Sequence, residues 1–160
     1  MDLAPAVPYV ADFEAELIAA HSGLARRLAL ILHDRSDADD VAQAAFTRAL
    51  ERKSQFVGGD VRAWLYTIGI RLALNELRRR TRVSLSAPHP EPAWAMETDP
   101  DLWIAIGGLD PQHRAALLLS SLDGYTHEEI GQMLGVPPGT VSSWLSRAKA
   151  HLREILGEPK

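Results

Sequence analysis

The sequence predicts an all-α fold of two small helical domains joined by a flexible linker, the C-terminal one being a helix-turn-helix domain. Apolar residues recur at helical spacing on both sides of residues 83–100, and no segment shows a convincing strand pattern. Residues 83–100 contain four prolines and no basic residue, which is typical of a linker. We therefore divide the chain into residues 1–82, 83–100 and 101–160.

Length and composition are those of a globular protein. The chain has 160 residues, of which 46% are hydrophobic and 24% charged. It shows neither a long apolar run nor a basic N-terminal region followed by an apolar one, so we expect a cytoplasmic protein without a membrane span. The net charge of −4 argues against nonspecific nucleic-acid binding by the whole chain, but basic residues concentrate in residues 62–82.

No pattern in the sequence indicates catalysis or a bound cofactor. The absence of cysteine removes disulfides, thiolate metal sites and cysteine nucleophiles. The six histidines lack the spacing of a zinc site, and there is no phosphate-binding glycine loop or nucleophile elbow. We expect no metal, no cofactor and no enzymatic activity.

The N-terminal domain is predicted to begin with two helices. After a flexible arm, Asp12 is expected to cap a helix to about residue 32, and Ser36 with Asp39 to start another that ends near residue 53. The buried side of the first helix is expected to contain Phe13, Leu17, Leu24, Leu28 and Ile31. The second is expected to bury Val41, Ala42, Ala45, Phe46, Ala49 and Leu50, and to expose Asp40, Gln43, Ala44, Thr47 and Glu51.

A loop over residues 54–60 then precedes a third helix, residues 60–82. In the loop, Phe56 is either a hydrophobic plug or a platform for an unstacked base. The helix is expected to turn Trp64, Leu65, Ile68, Leu72 and Leu77 inward. Its C-terminal end carries Arg78, Arg79, Arg80 and Arg82. A cation at the C-terminal end of a helix stabilises it by about 0.3–1 kcal/mol through the helix dipole. Four arginines so close together repel one another and are more than a helix end requires. We therefore interpret them as a track that binds DNA phosphates.

The C-terminal domain carries the helix-turn-helix. Asp110 is expected to cap a helix that packs under it through Ala115, Leu118, Leu119 and Leu122. Thr126 and Glu129 predict a capping box, Gly131 a close approach to the second helix of the motif, and Gly135 the end of the first. Pro138 then opens a recognition helix with an apolar stripe of Val141, Leu145, Ala148 and Leu152. Trp144 lies at the margin of that stripe and either packs in the core or contacts a partner.

These residues resemble a known family in order and spacing, over nearly the whole chain. The C-terminal matches are Leu109-Asp110-Pro111, Arg114, Glu128-Glu129-Ile130, Leu134-Gly135-Val136, Gly139-Thr140-Val141, Ser143, Leu145 and Arg147-Ala148. They resemble the DNA-binding domain of the extracytoplasmic-function (ECF) sigma factors of the sigma-70 superfamily. The N-terminal matches are Asp40, Gln43, Phe46 and Trp64-Leu65-Tyr66-x-Ile68 with the trailing arginines.

The resemblance implies a factor that directs core RNA polymerase to specific promoters and assists promoter melting. Its partners would be the clamp and flap regions of the polymerase, promoter DNA and an anti-sigma factor. It assigns polymerase binding to Asp40, Gln43, Thr47 and Arg48. It assigns the minus-10 element to Phe56, Arg62, Arg71, Asn75, Arg78, Arg79 and Arg80. It assigns the minus-35 element to Pro138, Thr140, Ser142, Ser143, Ser146, Arg147 and Lys149.

Four positions depart from the family pattern and leave other functions open. Most members have asparagine at Arg71, aspartate at Asn75, and basic residues at Ser142 and Trp144. These departures motivate a sigma-like decoy that binds an anti-sigma factor without recognising a promoter. A one-component repressor that uses only the helix-turn-helix is a further alternative, but it does not explain residues 12–82.

The linker assignment predicts that the two domains fold separately and that a protease cuts the chain first between them. We expect trace protease to cleave first within residues 83–100, because an extended proline-rich segment offers no packed structure to protect its backbone. Mass spectrometry of the early fragments reads out the position. First cuts within 12–82 or 109–152 would show that the boundary is misplaced.

Overall fold

A computed structural model describes residues 6–83 and 99–157 of the chain, and the side chains of residues 12–80 and 99–157. In these ranges every regular element is helical, which confirms the predicted all-α class. Most of the expected linker, residues 84–98, lies outside the described residues. The helices are α1 (Ala6–Leu32), α2 (Arg35–Glu51), α3 (Val61–Val83), α4 (Pro100–Gly107), α5 (Pro111–Ser121), α6 (His127–Leu134) and α7 (Pro138–Leu156), with a single 3₁₀ turn at Lys53–Gln55.

Helix α1 buries the side that the sequence predicted. Phe13, Leu17, Leu24, Leu28 and Ile31 are all buried. The helix begins at Ala6 rather than at residue 12, so the expected flexible arm is wrong from residue 6 onward. Its third residue is a proline, which a first helical turn tolerates because the missing N–H has no partner there.

Helix α2 differs from prediction in its cap and in its buried side. Its cap is Asp34, whose carboxylate accepts a hydrogen bond from the Asp37 backbone N–H at 2.9 Å, and not Ser36. The fully buried positions form a stripe of small residues, Ala38, Ala42, Ala45 and Ala49. Leu50 is 40% exposed and was wrongly placed in the core. Because alanine side chains let the neighbouring helices approach closely, only a narrow strip of α2 is buried. Val41 and Phe46 lie at the margin of this strip and are half-buried.

Helix α3 is covered on two sides. It packs against α1 and α2, and also against α5 and α6. Of the residues predicted to point inward, Leu65 is buried, whereas Trp64, Ile68, Leu72 and Leu77 are half-buried. The other fully buried positions with large side chains are Val61, Tyr66, Ile70 and Leu74. The prediction of a single buried stripe on α3 was wrong, because other helices pack against two sides of it.

The helix-turn-helix forms with the predicted local chemistry. The Thr126 hydroxyl accepts from the Glu129 N–H at 3.1 Å, and the Glu129 carboxylate accepts from the Thr126 N–H at 3.0 Å. Gly135 ends α6 in the left-handed conformation, with φ of 73°. Two details of the preceding helix α5 differ: Asp110 occupies the cap position without a capping side-chain bond, and Leu122 is 54% exposed because it lies just past the helix end.

Gly131 sits where the chain folds back on itself. A Cβ at this position would lie 2.5 Å from the carbonyl oxygen of Val136, in the turn that leads to α7. The predicted close approach is therefore confirmed, but its nearest partner is the backbone of the turn and not the second helix.

The N-terminal and C-terminal helices pack into one continuous hydrophobic core, which the sequence did not predict. α1 contacts α4 and α5, and α3 contacts α5 and α6. Buried residues from Phe13 to Ala148 belong to a single cluster. The structure thus places the helix-turn-helix directly against α3.

The contact at Gly131 predicts a stability difference between two glycines of the motif. We expect Gly131→Ala to destabilise the fold by about 1–3 kcal/mol, because the added methyl meets rigid backbone. Gly139→Ala in α7 is the control, since a Cβ there meets nothing within 4 Å; it should be neutral or stabilise by about 0.4–1 kcal/mol. Urea unfolding followed by circular dichroism measures both, and equal midpoints would contradict the steric account.

Candidate nucleic-acid and polymerase interface

The recognition helix α7 separates an apolar side from an exposed polar side. Val141, Leu145 and Ala148 are buried against the rest of the helix-turn-helix. Of the residues assigned to the minus-35 element, Thr140 is half-buried and the rest are exposed: Pro138, Ser142, Ser143, Ser146, Arg147 and Lys149. The exposed residues are free to meet a DNA groove in this conformation.

Trp144 occupies the edge of that surface. Its side chain is half-buried and packs against the core, and its ring lies 5.8 Å from that of His113. The core-packing alternative for this residue therefore has structural support, although part of the ring still faces solvent.

The residues assigned to polymerase binding form an exposed patch on α2. Asp40, Gln43 and Thr47 follow one another at helical spacing and are all exposed, with Arg48 beside them. The alanine stripe on the opposite side holds α2 against its neighbours, so this patch has no packing role. Its acidic and amide groups are available to a partner.

Phe56 belongs to a cluster of three aromatic rings. Its ring centroid lies 5.1 Å from that of Phe13 and 5.4 Å from that of Trp64. It also lines a cleft of about 280 Å³. The packing of Phe56 against the other two rings supports its interpretation as a hydrophobic plug. Because Phe56 also borders the cleft, base binding by this residue stays a prediction. The opposite wall of the cleft comes from the helix-turn-helix, through Tyr125, Glu129, Gln132 and Met133.

The arginines at the end of α3 are more fully paired than the sequence suggested. Arg79 and Arg80 both contact the Glu76 carboxylate, at 2.7 Å and 3.3 Å. The hydrogen bond from Arg79 lowers the pKa of Glu76 below its ordinary value. Arg80 also pairs with Asp37 of α2 at 2.6 Å, a partner 43 residues away that local spacing could not reveal. Of the three arginines whose side chains the structure describes, Arg78 is the least engaged, with a 3.4 Å bond to Asn75. The side chain of Arg82 lies outside the described residues.

Arg71, which the resemblance assigns to the minus-10 element, contacts the helix-turn-helix in this conformation. Its Nε donates to the carbonyl of Met133 at 2.9 Å, and its Nη2 donates to the carbonyl of Gln132 at 3.0 Å. Both acceptors lie in the last turn of α6.

Arg62, another residue assigned to the minus-10 element, pairs with Asp123 in the segment between α5 and α6. Arg27 of α1 binds the same carboxylate in a bidentate manner, at 2.9 Å and 3.0 Å. The Asp123 side chain is 0% exposed. The sequence analysis missed this group, because nothing in local spacing relates residues 27, 62 and 123.

Two further contacts join the helix groups. The buried Arg114 donates to the carbonyl of Ile31 at 2.6 Å and to that of Leu109 at 3.1 Å. Burial lowers the pKa of this guanidinium. His33, whose φ is 58°, stacks on Trp103 with ring centroids 3.8 Å apart, and its Nε2 lies 3.1 Å from the Trp103 carbonyl.

Within the described residues, no three histidine, aspartate or glutamate side chains are grouped so that they could hold a metal ion. The helices described here include none that is both long and apolar enough to cross a membrane.

Two family models match the chain in the order of the two helix groups. Sigma-70 region 2 matches residues 17–83, and Sigma-70, region 4 matches residues 101–152. The chain is 33% identical to the ECF RNA polymerase sigma factor SigE of Mycolicibacterium smegmatis, over 89% of this chain and 61% of that protein, so it spans less than two thirds of that relative. It is 31% identical to the RNA polymerase sigma factor CarQ of Myxococcus xanthus, over 82% of this chain and 81% of CarQ.

Solved structures agree with the sequence matches. The sigma factor RpoE of Bartonella quintana, solved with the anti-sigma factor NepR, superimposes with a TM-score of 0.77 at 25% identity, covering 93% of this chain and 99% of that one. CnrH, solved with the cytosolic domain of CnrY, superimposes with a TM-score of 0.65 at 27% identity, covering 89% of this chain and 86% of that one.

Helices of region 2 followed by a region 4 helix-turn-helix define a protein of the sigma-70 class. Within that class, the identities to SigE and CarQ are spread over most of the chain. The chain belongs to the ECF family of RNA polymerase sigma factors, as the resemblance predicted.

Proposed function

We propose that this chain directs core RNA polymerase to specific promoters and assists in melting them. The N-terminal helices bind the polymerase clamp and the minus-10 element, and the helix-turn-helix binds the minus-35 element and the polymerase flap. The factor works in the cytoplasm and is not itself catalytic. The observation that carries this proposal is the exposed polar side of α7, set on a helix-turn-helix in a chain of this family.

Different residues on the exposed side of α7 are suited to reading the DNA bases and to binding the phosphates. Ser142 and Ser143 lie near the N-terminal end of the helix, which is the end that enters the groove in such motifs. Arg147 and Lys149 lie later in the helix, where cations meet phosphates. The short hydroxyl side chains carry no charge, so the phosphate affinity of this surface depends on few groups.

The minus-10 surface is proposed to lie on α3 and the adjoining loop. Among the described arginines at the end of α3, Arg78 is the most available to a phosphate, and Phe56 with its cleft is the place for an unstacked base. Arg62 and Arg71 complete this surface only when they leave their contacts with the helix-turn-helix.

We further propose that an anti-sigma factor controls this chain. RpoE and CnrH were each solved with a partner, NepR and the cytosolic domain of CnrY respectively, and this chain shares their fold over most of its length. The decoy alternative is not favoured, because SigE and CarQ are named as RNA polymerase sigma factors and both sigma-70 regions match.

In vitro transcription tests the proposed function. Core polymerase is supplied with a library of genomic fragments, with and without the full chain, and transcript starts are sequenced. New starts that share upstream elements at minus-10 and minus-35 are the expected result. Transcription that the chain leaves unchanged, although it binds core polymerase, would instead support the decoy.

The patch on α2 gives a prediction for polymerase binding. We expect Asp40→Ala with Gln43→Ala to weaken affinity for core polymerase at least several-fold. Stability should change by no more than about 0.5 kcal/mol, because both side chains are exposed. Glu16→Ala is the matched control, since it removes an exposed carboxylate from α1 rather than from α2. Equal polymerase affinity for all three proteins, measured by fluorescence anisotropy, would remove this patch from the interface.

The α7 surface gives a prediction for promoter reading. On a randomised minus-35 library, Ser143→Ala should lose about 1–3 kcal/mol of preference at one base pair, whereas Arg147→Ala should weaken binding to all sequences alike. Arg153→Ala, an exposed arginine in the last turn of α7, serves as the control. If a folded protein carrying either test substitution binds the library as wild type does, α7 does not read DNA as proposed.

A further inference from the structure

Trp144 borders the exposed polar side of the recognition helix α7. It lies in the second turn of that helix, one turn after Thr140. Helical spacing puts Thr140, Trp144 and Arg147 on one strip along α7, between the buried stripe and the exposed Ser143. The exposed Lys149 lies at the opposite edge of the polar side. Trp144 therefore belongs to the part of α7 that enters the major groove in helix-turn-helix proteins.

Two neighbours hold the Trp144 ring in place. One part of the ring packs against the hydrophobic core. Another part meets His113 in the first turn of α5, with ring centroids 5.8 Å apart and ring planes inclined by 40°. The next residue of α5 is the buried Arg114, whose guanidinium binds the Ile31 and Leu109 carbonyls, so His113 projects from a fixed piece of backbone. A ring held in this way has little rotamer freedom left to lose on binding.

The chemistry of the indole differs from that of every other group on this surface. It has no charge and a single N–H donor, and because it is half-buried it leaves apolar surface in water. Covering that surface on binding is favourable. Phosphates offer no apolar partner for it.

The chief apolar group that DNA displays in the major groove is the C5 methyl of thymine. Most members of the family have a basic residue where this chain has Trp144. A cation there would serve any DNA sequence through its phosphates, whereas an indole gains most from a base that carries a methyl group. The replacement thus exchanges general affinity for a preference between bases.

We propose that Trp144 is a specificity residue of the minus-35 surface, which reads one thymine through its C5 methyl group. His113 is the positioning residue that holds the indole for this contact. The inference rests on the proposed function, because it requires α7 to enter the groove of a promoter. It adds an apolar contact to the hydroxyl and cationic contacts of the same helix.

Uracil provides the test, because it lacks the C5 methyl of thymine and pairs with adenine through the same hydrogen bonds. Core polymerase with the full-length chain is bound to a labelled duplex promoter identified by in vitro transcription. Each thymine of the minus-35 element, on either strand, is replaced in turn by deoxyuridine. Affinity is measured by fluorescence anisotropy. Loss of one buried methyl group should weaken binding roughly fourfold at one position. Indifference to uracil at every position would overturn the thymine contact.

Substitutions of Trp144 identify the group that meets the methyl. Trp144→Phe keeps an aromatic ring and should still distinguish thymine from uracil at the same position. Trp144→Arg should lose this discrimination, bind all sequences more tightly and steepen the slope of log K against log salt by about 0.9. Trp144→Ala makes the same test without adding a charge, if the arginine disturbs folding. Discrimination that persists in folded Trp144→Arg or Trp144→Ala would assign the contact to another residue and overturn the proposal.

Lys149→Ala is the matched control, since it changes the opposite edge of the polar side of α7. It should weaken binding to the thymine and uracil promoters alike. Circular dichroism melting establishes which variants are folded at the temperature of the binding experiment.

The role of His113 is tested by the same ratio of affinities. His113→Ala removes one support of the indole and should reduce discrimination from about fourfold to about twofold. His113→Phe keeps a ring against Trp144 and should restore it. A residue that only stabilises the fold would change both affinities equally, so unchanged discrimination in His113→Ala would refute positioning.

The two levels of the argument fail in different ways. If the chain activates no promoter with core polymerase, the proposed function is rejected and the thymine contact with it. If it activates a promoter whose affinity does not depend on the thymine methyl groups, the proposed function stands and only the role of Trp144 is rejected.

Discussion

A buried guanidinium holds the two helix groups together, and the position of the helix-turn-helix depends on it. Arg114 of α5 cannot give up its charge at ordinary pH, so once it is buried its donors must find acceptors. It finds them in the Ile31 carbonyl at the end of α1 and in the Leu109 carbonyl just before α5. Because one acceptor comes from each group, the side chain fixes α5 on α1, and α6 and α7 follow from α5 by short connections.

Small residues decide how closely the helices approach around this anchor. The alanine stripe of α2 packs against the neighbouring helices. The opposite side of α2, which carries Asp40 and Gln43, is exposed and takes no part in this packing. Gly131 allows a similarly close approach within the helix-turn-helix, where the backbone of the turn leaves no room for a side chain. In both places small residues let two segments of backbone approach closely.

Charge pairing reduces the number of free cations on the proposed DNA-binding surfaces of a chain whose net charge is −4. Arg79 and Arg80 share Glu76, and Arg27 and Arg62 share the buried Asp123. Arginines paired in this way must exchange a carboxylate for a phosphate, so the free energy gained on DNA binding is reduced. Among the described arginines assigned to DNA binding, Arg78 is weakly paired and Arg147 is exposed.

The sequence by itself determined the local structure and the family. The Thr126–Glu129 capping box, the left-handed Gly135, the buried side of α1 and the exposed side of α7 all depend on residues within one or two helical turns, and such interactions can be inferred from spacing. Misplaced details, such as the cap at Ser36 and the burial of Leu50 and Leu122, arose at helix ends, where a shift of one or two residues changes a side chain's surroundings.

Only the tertiary structure decided what lies between the two helix groups. The partners of Arg71, Arg80 and Asp123 are between 43 and 96 residues away along the chain, and no local pattern encodes contacts at that separation. The second buried side of α3 follows from the same packing, because a helix with neighbours on two sides no longer shows one apolar stripe. Whether a given arginine faces DNA or another helix is set by where the opposing backbone and carboxylates come to lie.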